Sequence, residues 1–222
     1  MVTVTGRQLT GKTEEHLVTE NGVRLHPEAA RAFTRLQKCA KEQGMDLQVA
    51  SGFRSFDRQL AIWNAKASGQ RPVLDDDGQH VNLAALPPLQ QVQGIMRWSA
   101  LPGASRHHWG TDMDVWDRTA VSADYQLQLI PEEYSGEGPF AHLSQWLEQR
   151  DDSGFFRPYA LDRGGIAPEP WHLSYRPTAD QFAERLTPQL LSAALEGVDM
   201  LLKQVVLDNM TDLFDRFIQV EH

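Results

Sequence analysis

The chain of 222 residues is long enough to bury one substantial core, and nothing in its length demands a second domain. With 41% hydrophobic and 23% charged residues it has the composition of a folded globular protein rather than a disordered one. Its formal net charge of -9 argues against a nucleic-acid binder and against adhesion to an anionic membrane or wall polymer, and favours small or neutral substrates.

No apolar run is long enough to span a bilayer, and the first residues, with Lys12, Glu14, Glu15 and Glu20, lack the apolar centre of a secretory signal. The expectation is a soluble protein without membrane insertion, acting in the cytoplasm, with the periplasm as the alternative. The lone Cys39 has no partner for an internal disulfide. Its place in the stripe Ala32, Phe33, Leu36, Cys39, Ala40 reads as a small core residue rather than a nucleophile.

In chain order, residues 27–43 open with Pro27 and place Ala30, Phe33, Leu36 and Ala40 at helical spacing, with Gly44 as a stop. The alternation of Leu47 to Ala50 predicts a short strand running into Ser51-Gly52-Phe53-Arg54-Ser55. Residues 56–67, with Leu60, Ile62 and Trp63, predict a helix. Residues 68–88, containing Gly69, Pro72, Asp75 to Asp77, Gly78 and Pro87-Pro88, predict a long loop that is either a lid or an insertion. A short helix is expected over 89–98.

The alternation over 111–116 puts Asp112, Asp114 and Trp116 on one face of a strand and Met113 and Val115 on the other. A loop over 131–138, a helix over 140–149, an extended start at Gly154 and a strand over 171–175 ended by Pro177 follow. From residue 178 the apolar stripes through Phe182, Leu191, Leu195, Val205, Leu213 and Phe217 predict helices docked on the rest of the protein.

Chemistry concentrates in three short segments. Ser105 to Asp114 and Glu169-Pro170-Trp171-His172 supply two imidazoles and a carboxylate, His107, Asp114 and His172, which are three ligands for a catalytic zinc with its fourth position left to water. A His-x6-Asp pair recurs by chance in many chains, and on spacing alone each residue reads equally well as a structural histidine or a solvated acid. Glu169, three residues before His172, adds the acid/base that a metal-activated hydrolysis needs. Arg54 in the third segment suits a substrate carboxylate or an oxyanion, although alone it would read as a surface cation. His108 would point away from His107, at best supporting the ligand set from behind or contacting substrate. His16, His26, His80, His142 and His222 lack partnered spacing. Asp112 either orients a ligand histidine or adds an unwanted negative charge.

The ordered set SGFRSxxxQ at 51–59, SxHxxGxxxD at 105–114 and EPWH at 169–172 resembles the D-alanyl-D-alanine carboxypeptidases of the vancomycin-resistance type and the related L,D-carboxypeptidases. These belong to a wider zinc group with lysostaphin-like enzymes and the hedgehog signalling domain. The resemblance covers about residues 25–176; the helical extension from 178, the acidic loop and Asp112 depart from it. It implies an α+β fold whose small antiparallel sheet carries the zinc site between flanking helices. It also implies that His107, Asp114 and His172 bind zinc, that Glu169 is the acid/base, and that Arg54, Gln59 and Ser105 contact substrate. The expected reaction is removal of a terminal D-alanine from a peptidoglycan stem peptide. A wall endopeptidase and a zinc-stabilised binding module without catalysis are the competing readings.

Overall fold

A computed structural model describes residues 4–219 apart from Asp77, so the sequence expectations on Asp77 and His222 lie outside the described residues. The element that organises the molecule is a four-stranded antiparallel sheet in the order β3-β4-β6-β5, formed by β3 (Leu47–Ser51), β4 (Asp112–Asp117), β6 (His172–Tyr175) and β5 (Phe155–Phe156). Asp114 lies opposite His172 on one side and Ser51 on the other, so one row across three strands joins all three motifs. Alternation sends Met113, Val115 and Leu173 to the opposite face. There they are 0–2% exposed and pack on α2 (Pro27–Glu42) through Ala29, Phe33, Leu36 and Ala40. Burying each of the large side chains contributes about 1.5–3 kcal/mol.

A second core is built by helices. α3 (Phe56–Ala67) and α4 (Pro88–Trp98) bring Trp63, Val92 and Ile95, all 0% exposed, against α6 (Arg176–Ala183), α7 (Pro188–Leu195), α8 (Lys203–Asp208) and α9 (Met210–Phe217). Polar anchors fix the angle of approach: the Trp63 indole N–H donates to the Leu201 carbonyl at 2.9 Å, and the Leu201 N–H donates to Asn64 at 3.0 Å. The C-terminal helices therefore share a core with α3 and α4, as their apolar stripes predict. α5 (Ala141–Glu148) sits with the sheet core through Leu143 and Trp146.

The structure differs from the sequence reading in three places. An N-terminal segment left without assigned structure forms α1 (Gly6–Leu9) and a hairpin of β1 (Val18–Glu20) and β2 (Val23–Leu25). Its turn residues Asn21 and Gly22 have φ of 51° and 79°, the left-handed pair that an Asn-Gly hairpin turn demands. The 68–88 loop contains a bridge between Leu74 and His80 and a 3-10 turn over Leu83–Ala85. The strand expected over 171–175 begins at His172, and Pro177 opens α6 at its first turn, where a missing N–H costs nothing, instead of merely ending the strand.

Candidate metal centre

The site is assembled where the motif loops are tied to one another by backbone. The Phe53 N–H donates to the Arg24 carbonyl on β2 at 3.0 Å, and the Arg54 N–H to the His107 carbonyl at 3.1 Å. Gly52 permits this packing, since a Cβ there would meet the Val23 side chain at 2.7 Å and the Arg24 carbonyl at 3.0 Å. His107 and His108 lie in a 3-10 turn over Arg106–Trp109 that ends at Gly110, whose φ of 70° reverses the chain into β4.

The ligand atoms of His107, Asp114 and His172 lie within 4.8 Å of one another, and all three residues are buried. His107 Nδ1 is 2.9 Å from the Gly52 carbonyl, which can only accept, so that nitrogen carries a hydrogen and Nε2 is turned toward Asp114 Oδ2 at 3.5 Å. His172 Nε2 is held by Asp112 Oδ1 at 3.0 Å, which turns Nδ1 toward Asp114 Oδ1 at 3.6 Å. That Asp114 oxygen is buried without a hydrogen-bond partner among the described residues. The orphaned Oδ1 of Asp114 thus faces His172 Nδ1 while Oδ2 faces His107 Nε2, and with the opposite edges of both imidazoles occupied this is a donor set that could hold a divalent cation.

The electrostatics agree. Burial disfavours a charged His172, but hydrogen bonds to Asp112 and Glu169 and the charge of Asp114 outweigh it and hold the pKa up to about 10. Burial likewise opposes ionisation of Asp114, yet His107, His172 and Arg54 keep its carboxyl below the usual range. Three carboxylates, of Asp112, Asp114 and Glu169, surround the His172 imidazole; Arg106 offsets Asp112, and a bound cation would compensate the other two.

Asp112 orients His172 and adds no net charge to the site. It is fully buried and paired with the buried Arg106, whose Nε donates to Oδ1 at 2.8 Å. Thr111 Oγ and Ser174 Oγ donate to Oδ2 at 2.6 and 3.1 Å. Arg106 also donates to Ser174 Oγ at 2.6 Å and lies over the Trp109 ring. Sequence reasoning left Asp112 open and passed over Arg106; the register that places Ser174 opposite Asp112 is what links them.

A cleft of about 190 Å³ opens on the ligand set, lined by Arg54, Ser105, Glu169, Trp98, Tyr159 and Ile166 among others. Glu169 stands at its wall with its side chain 18% exposed and Oε2 3.0 Å from His172 Nδ1. Arg54 directs its guanidinium through hydrogen bonds to Gln59 Oε1 at 3.1 Å and Ser51 Oγ at 3.3 Å. Gln59, expected to contact substrate, is itself 0% exposed and absent from the cleft wall; its amide donates to the Ala100 carbonyl at 2.7 Å and so fixes Arg54 from behind. His108 does not reach the cleft either. Its Nε2 accepts from the Gly103 N–H at 3.1 Å, its Nδ1 donates to the Arg54 carbonyl at 2.6 Å, and burial holds its pKa down to about 3. Tyr159 ends the Gly154-Phe155-Phe156-Arg157-Pro158-Tyr159 stretch, which resembles the approach to the last motif in that family, whereas Ile166 lies in a Gly/Pro-rich loop with no periodicity to mark it.

Comparisons with known proteins follow this geometry. Residues 22–178 match the sequence model of the VanY family, D-alanyl-D-alanine carboxypeptidase. An uncharacterised protein of Haemophilus influenzae is 45% identical over 103 residues, 44% of this chain and 70% of that protein. Among solved structures, VanYB in complex with D-alanine-D-alanine superposes with a TM-score of 0.52 at 22% identity, covering 82% of this chain and 88% of that one. A VanY D,D-pentapeptidase mutant in complex with Zn(II) gives 0.52 at 19% identity, covering 86% and 88%. The LdcB LD-carboxypeptidase gives 0.52 at 21% identity, covering 91% and 78%. With all three motifs inside the matched span, this chain belongs to the VanY family of D-alanyl-D-alanine carboxypeptidases.

Proposed function

We propose that the protein is a zinc-dependent carboxypeptidase that hydrolyses the terminal D-alanine peptide bond of peptidoglycan stem peptides. The observation that carries this reading is Glu169, a carboxylate in contact with His172 on the wall of the same cleft that the oriented Arg54 lines. Zinc held by His107, Asp114 and His172 would supply Lewis acidity and make water a competent nucleophile near neutral pH. Glu169 accepts the proton of the attacking water and returns it to the nitrogen of the departing D-alanine. Arg54 opposes negative charge on the substrate, at the carbonyl oxygen as it becomes tetrahedral or at the terminal carboxylate. Ser105, on the cleft wall, contacts the same end of the peptide. Ligands seen in related proteins support the assignment: D-alanine-D-alanine in one and Zn(II) in another.

A silent metal-binding module would need the three ligands and no base, so retention of Glu169 favours an enzyme. The test is Glu169→Gln. Metal content, read by elemental analysis, is expected to stay at one zinc per chain, while release of D-alanine from pentapeptide and tetrapeptide substrates falls by about 10²–10⁴-fold. Turnover unchanged by that substitution would refute the role. Comparison of the two peptides decides between D,D and L,D specificity. Action on soluble precursors or recycled peptides in the cytoplasm is part of the proposal, and recovery of the native protein in the periplasm would overturn it.

A further inference from the structure

Leu129 stands on the wall of the metal cleft with a backbone that leucine rarely adopts. Its φ of 56° lies in the left-handed region, where a side chain on Cβ crowds the following carbonyl. Among the described residues, Asn21 and Leu202 are the other non-glycine positions with positive φ, and neither borders the cleft. Such a conformation persists only where its neighbours over-determine it.

The neighbour that does so is Glu133, in the 3-10 turn over Pro131–Tyr134, a side chain in a residue 4% exposed and absent from the cleft wall. Its Oε2 accepts from the Leu129 N–H at 2.7 Å and the Ile130 N–H at 3.4 Å. Oε1 accepts from the Gln128 N–H at 3.0 Å and the Tyr125 hydroxyl at 2.7 Å. Burying a carboxylate is unfavourable unless hydrogen bonds satisfy it, and here four donors do. Three consecutive backbone N–H groups thus converge on one carboxylate and fix the loop on both sides of Leu129. Glu133 is itself anchored: its carbonyl accepts from the Phe140 N–H at 2.7 Å, and the adjoining Tyr134 hydroxyl donates to the Val115 carbonyl at 2.7 Å. A line of contacts therefore runs from β4, the strand that carries Asp114, to Leu129, whose side chain also packs against the sheet core.

We infer that Leu129 is a specificity-determining residue of this cleft and Glu133 its positioning residue, the pair forming a fixed apolar wall that limits the side chain of the departing terminal residue. The inference rests on the carboxypeptidase reading and names the residues that set its selectivity. Volume is what makes a rigid wall decisive. The cleft of about 190 Å³ must take an attacking water, which occupies about 30 Å³, together with the end of the peptide. Sites that enclose drug-sized ligands reach about 300–1,000 Å³, so a cleft of this size takes the end of a chain and not its middle. A free loop would carry Leu129 aside for a larger side chain, whereas this one moves only by breaking its hydrogen bonds to Glu133.

The experiment uses a stem pentapeptide and a tetrapeptide, each ending in D-alanine or, otherwise unchanged, in D-leucine. Steady-state kcat and KM are measured on the zinc-loaded protein, and binding by calorimetry on its zinc-loaded Glu169→Gln variant, with and without each wall substitution. D-alanine is expected to be preferred by about 10–200-fold in kcat/KM. Leu129→Ala should reduce that preference about tenfold, chiefly through KM. Glu133→Gln should reduce it severalfold, because its amide nitrogen, whichever way it turns, faces a backbone N–H that needs an acceptor. Each readout is a ratio between two peptides on one protein, so partial unfolding of a variant does not imitate it. A preference unchanged by Leu129→Ala, or no preference in the wild type, overturns the inference and leaves the carboxypeptidase reading intact. A preference unchanged by Glu133→Gln overturns the positioning role. Selective binding that Leu129→Ala relaxes, without turnover by the zinc-loaded wild type, upholds the wall and removes the catalytic reading instead. Neither binding nor turnover of any of the peptides overturns both.

Discussion

Asp112→Asn isolates the contribution of one buried charge to the metal centre. The side chain keeps its shape, and its remaining oxygen can still accept from Arg106 and His172 on the Oδ1 side. The new amide faces the hydroxyls of Thr111 and Ser174, which can reverse their roles and accept. What is lost is the negative charge opposite Arg106, a guanidinium only 4% exposed. Removing one partner of a buried pair costs about 3–5 kcal/mol. The amide, which preserves the hydrogen bonds, should bring the loss toward the lower end of that range, about 3 kcal/mol by urea unfolding of the metal-free protein. The carboxylate that orients His172 and raises its basicity also disappears, and loss of such a partner lowers metal affinity by about 10–100-fold. Zinc affinity is measured by competition with a chromophoric chelator of known strength. Wild-type affinity in a variant that has lost the expected stability would show that Asp112 serves Arg106 alone and does not orient the ligand. Unchanged stability would show that the pair carries no net energy.

Three further outcomes follow from the same structure. Arg97 binds Asp162 at 2.5 and 3.0 Å, Asp76 at 2.6 Å and the Gly165 carbonyl at 2.9 Å, tying the cleft-wall loop that carries Tyr159 and Ile166 to α4. Its acidic partners are exposed, so Arg97→Ala should cost only about 1 kcal/mol of stability while raising KM severalfold; a fall in kcat at unchanged KM would contradict this positioning role. Leu191 is 0% exposed in the core shared by α7 and α3–α4, and Leu191→Ala should cost about 2–5 kcal/mol in a single cooperative transition, whereas a separate early transition would show the C-terminal helices unfolding on their own. Burial and the neighbouring His26 hold the His16 pKa down to about 4 from an ordinary 6.5. The unfolded chain then takes up a proton that the folded one refuses, so stability present above pH 6.5 is lost as pH falls toward 4. His16→Gln should flatten part of that slope in thermal melts, and an identical slope in the variant would assign it to other groups.

Much of this protein was legible in one dimension because its signals are local. α2 and α3 follow from apolar spacing, α2 also from its opening Pro27, and the β4 alternation separates Asp112 and Asp114 from Met113 and Val115 within six residues. The candidate ligand residues and Glu169 stood out because each lies in a short motif of unusual composition, and because the three motifs in order carry the family resemblance. The N-terminal hairpin was legible too, in Asn21-Gly22, but only to a reader who weighs turn chemistry as heavily as hydrophobic periodicity.

Other features depend on residues far apart in the chain, and no local pattern carries them. Whether Asp112 orients a ligand or burdens the site depends on Arg106, His172 and Ser174, which strand register brings together across 60 to 68 positions. Gln59 has the spacing of a substrate contact, yet the packing of α3 buries it behind Arg54. Arg54 alone reads as a surface cation until Gln59, Ser51 and the backbone tie to His107 hold it on the cleft wall. Residue types and short-range periodicity, set by side-chain chemistry and backbone geometry, thus determined most of the elements and the candidate ligand set of this chain. Only the tertiary structure decided which charges face one another, because electrostatic pairing depends on distance in space and the fold is what sets that distance.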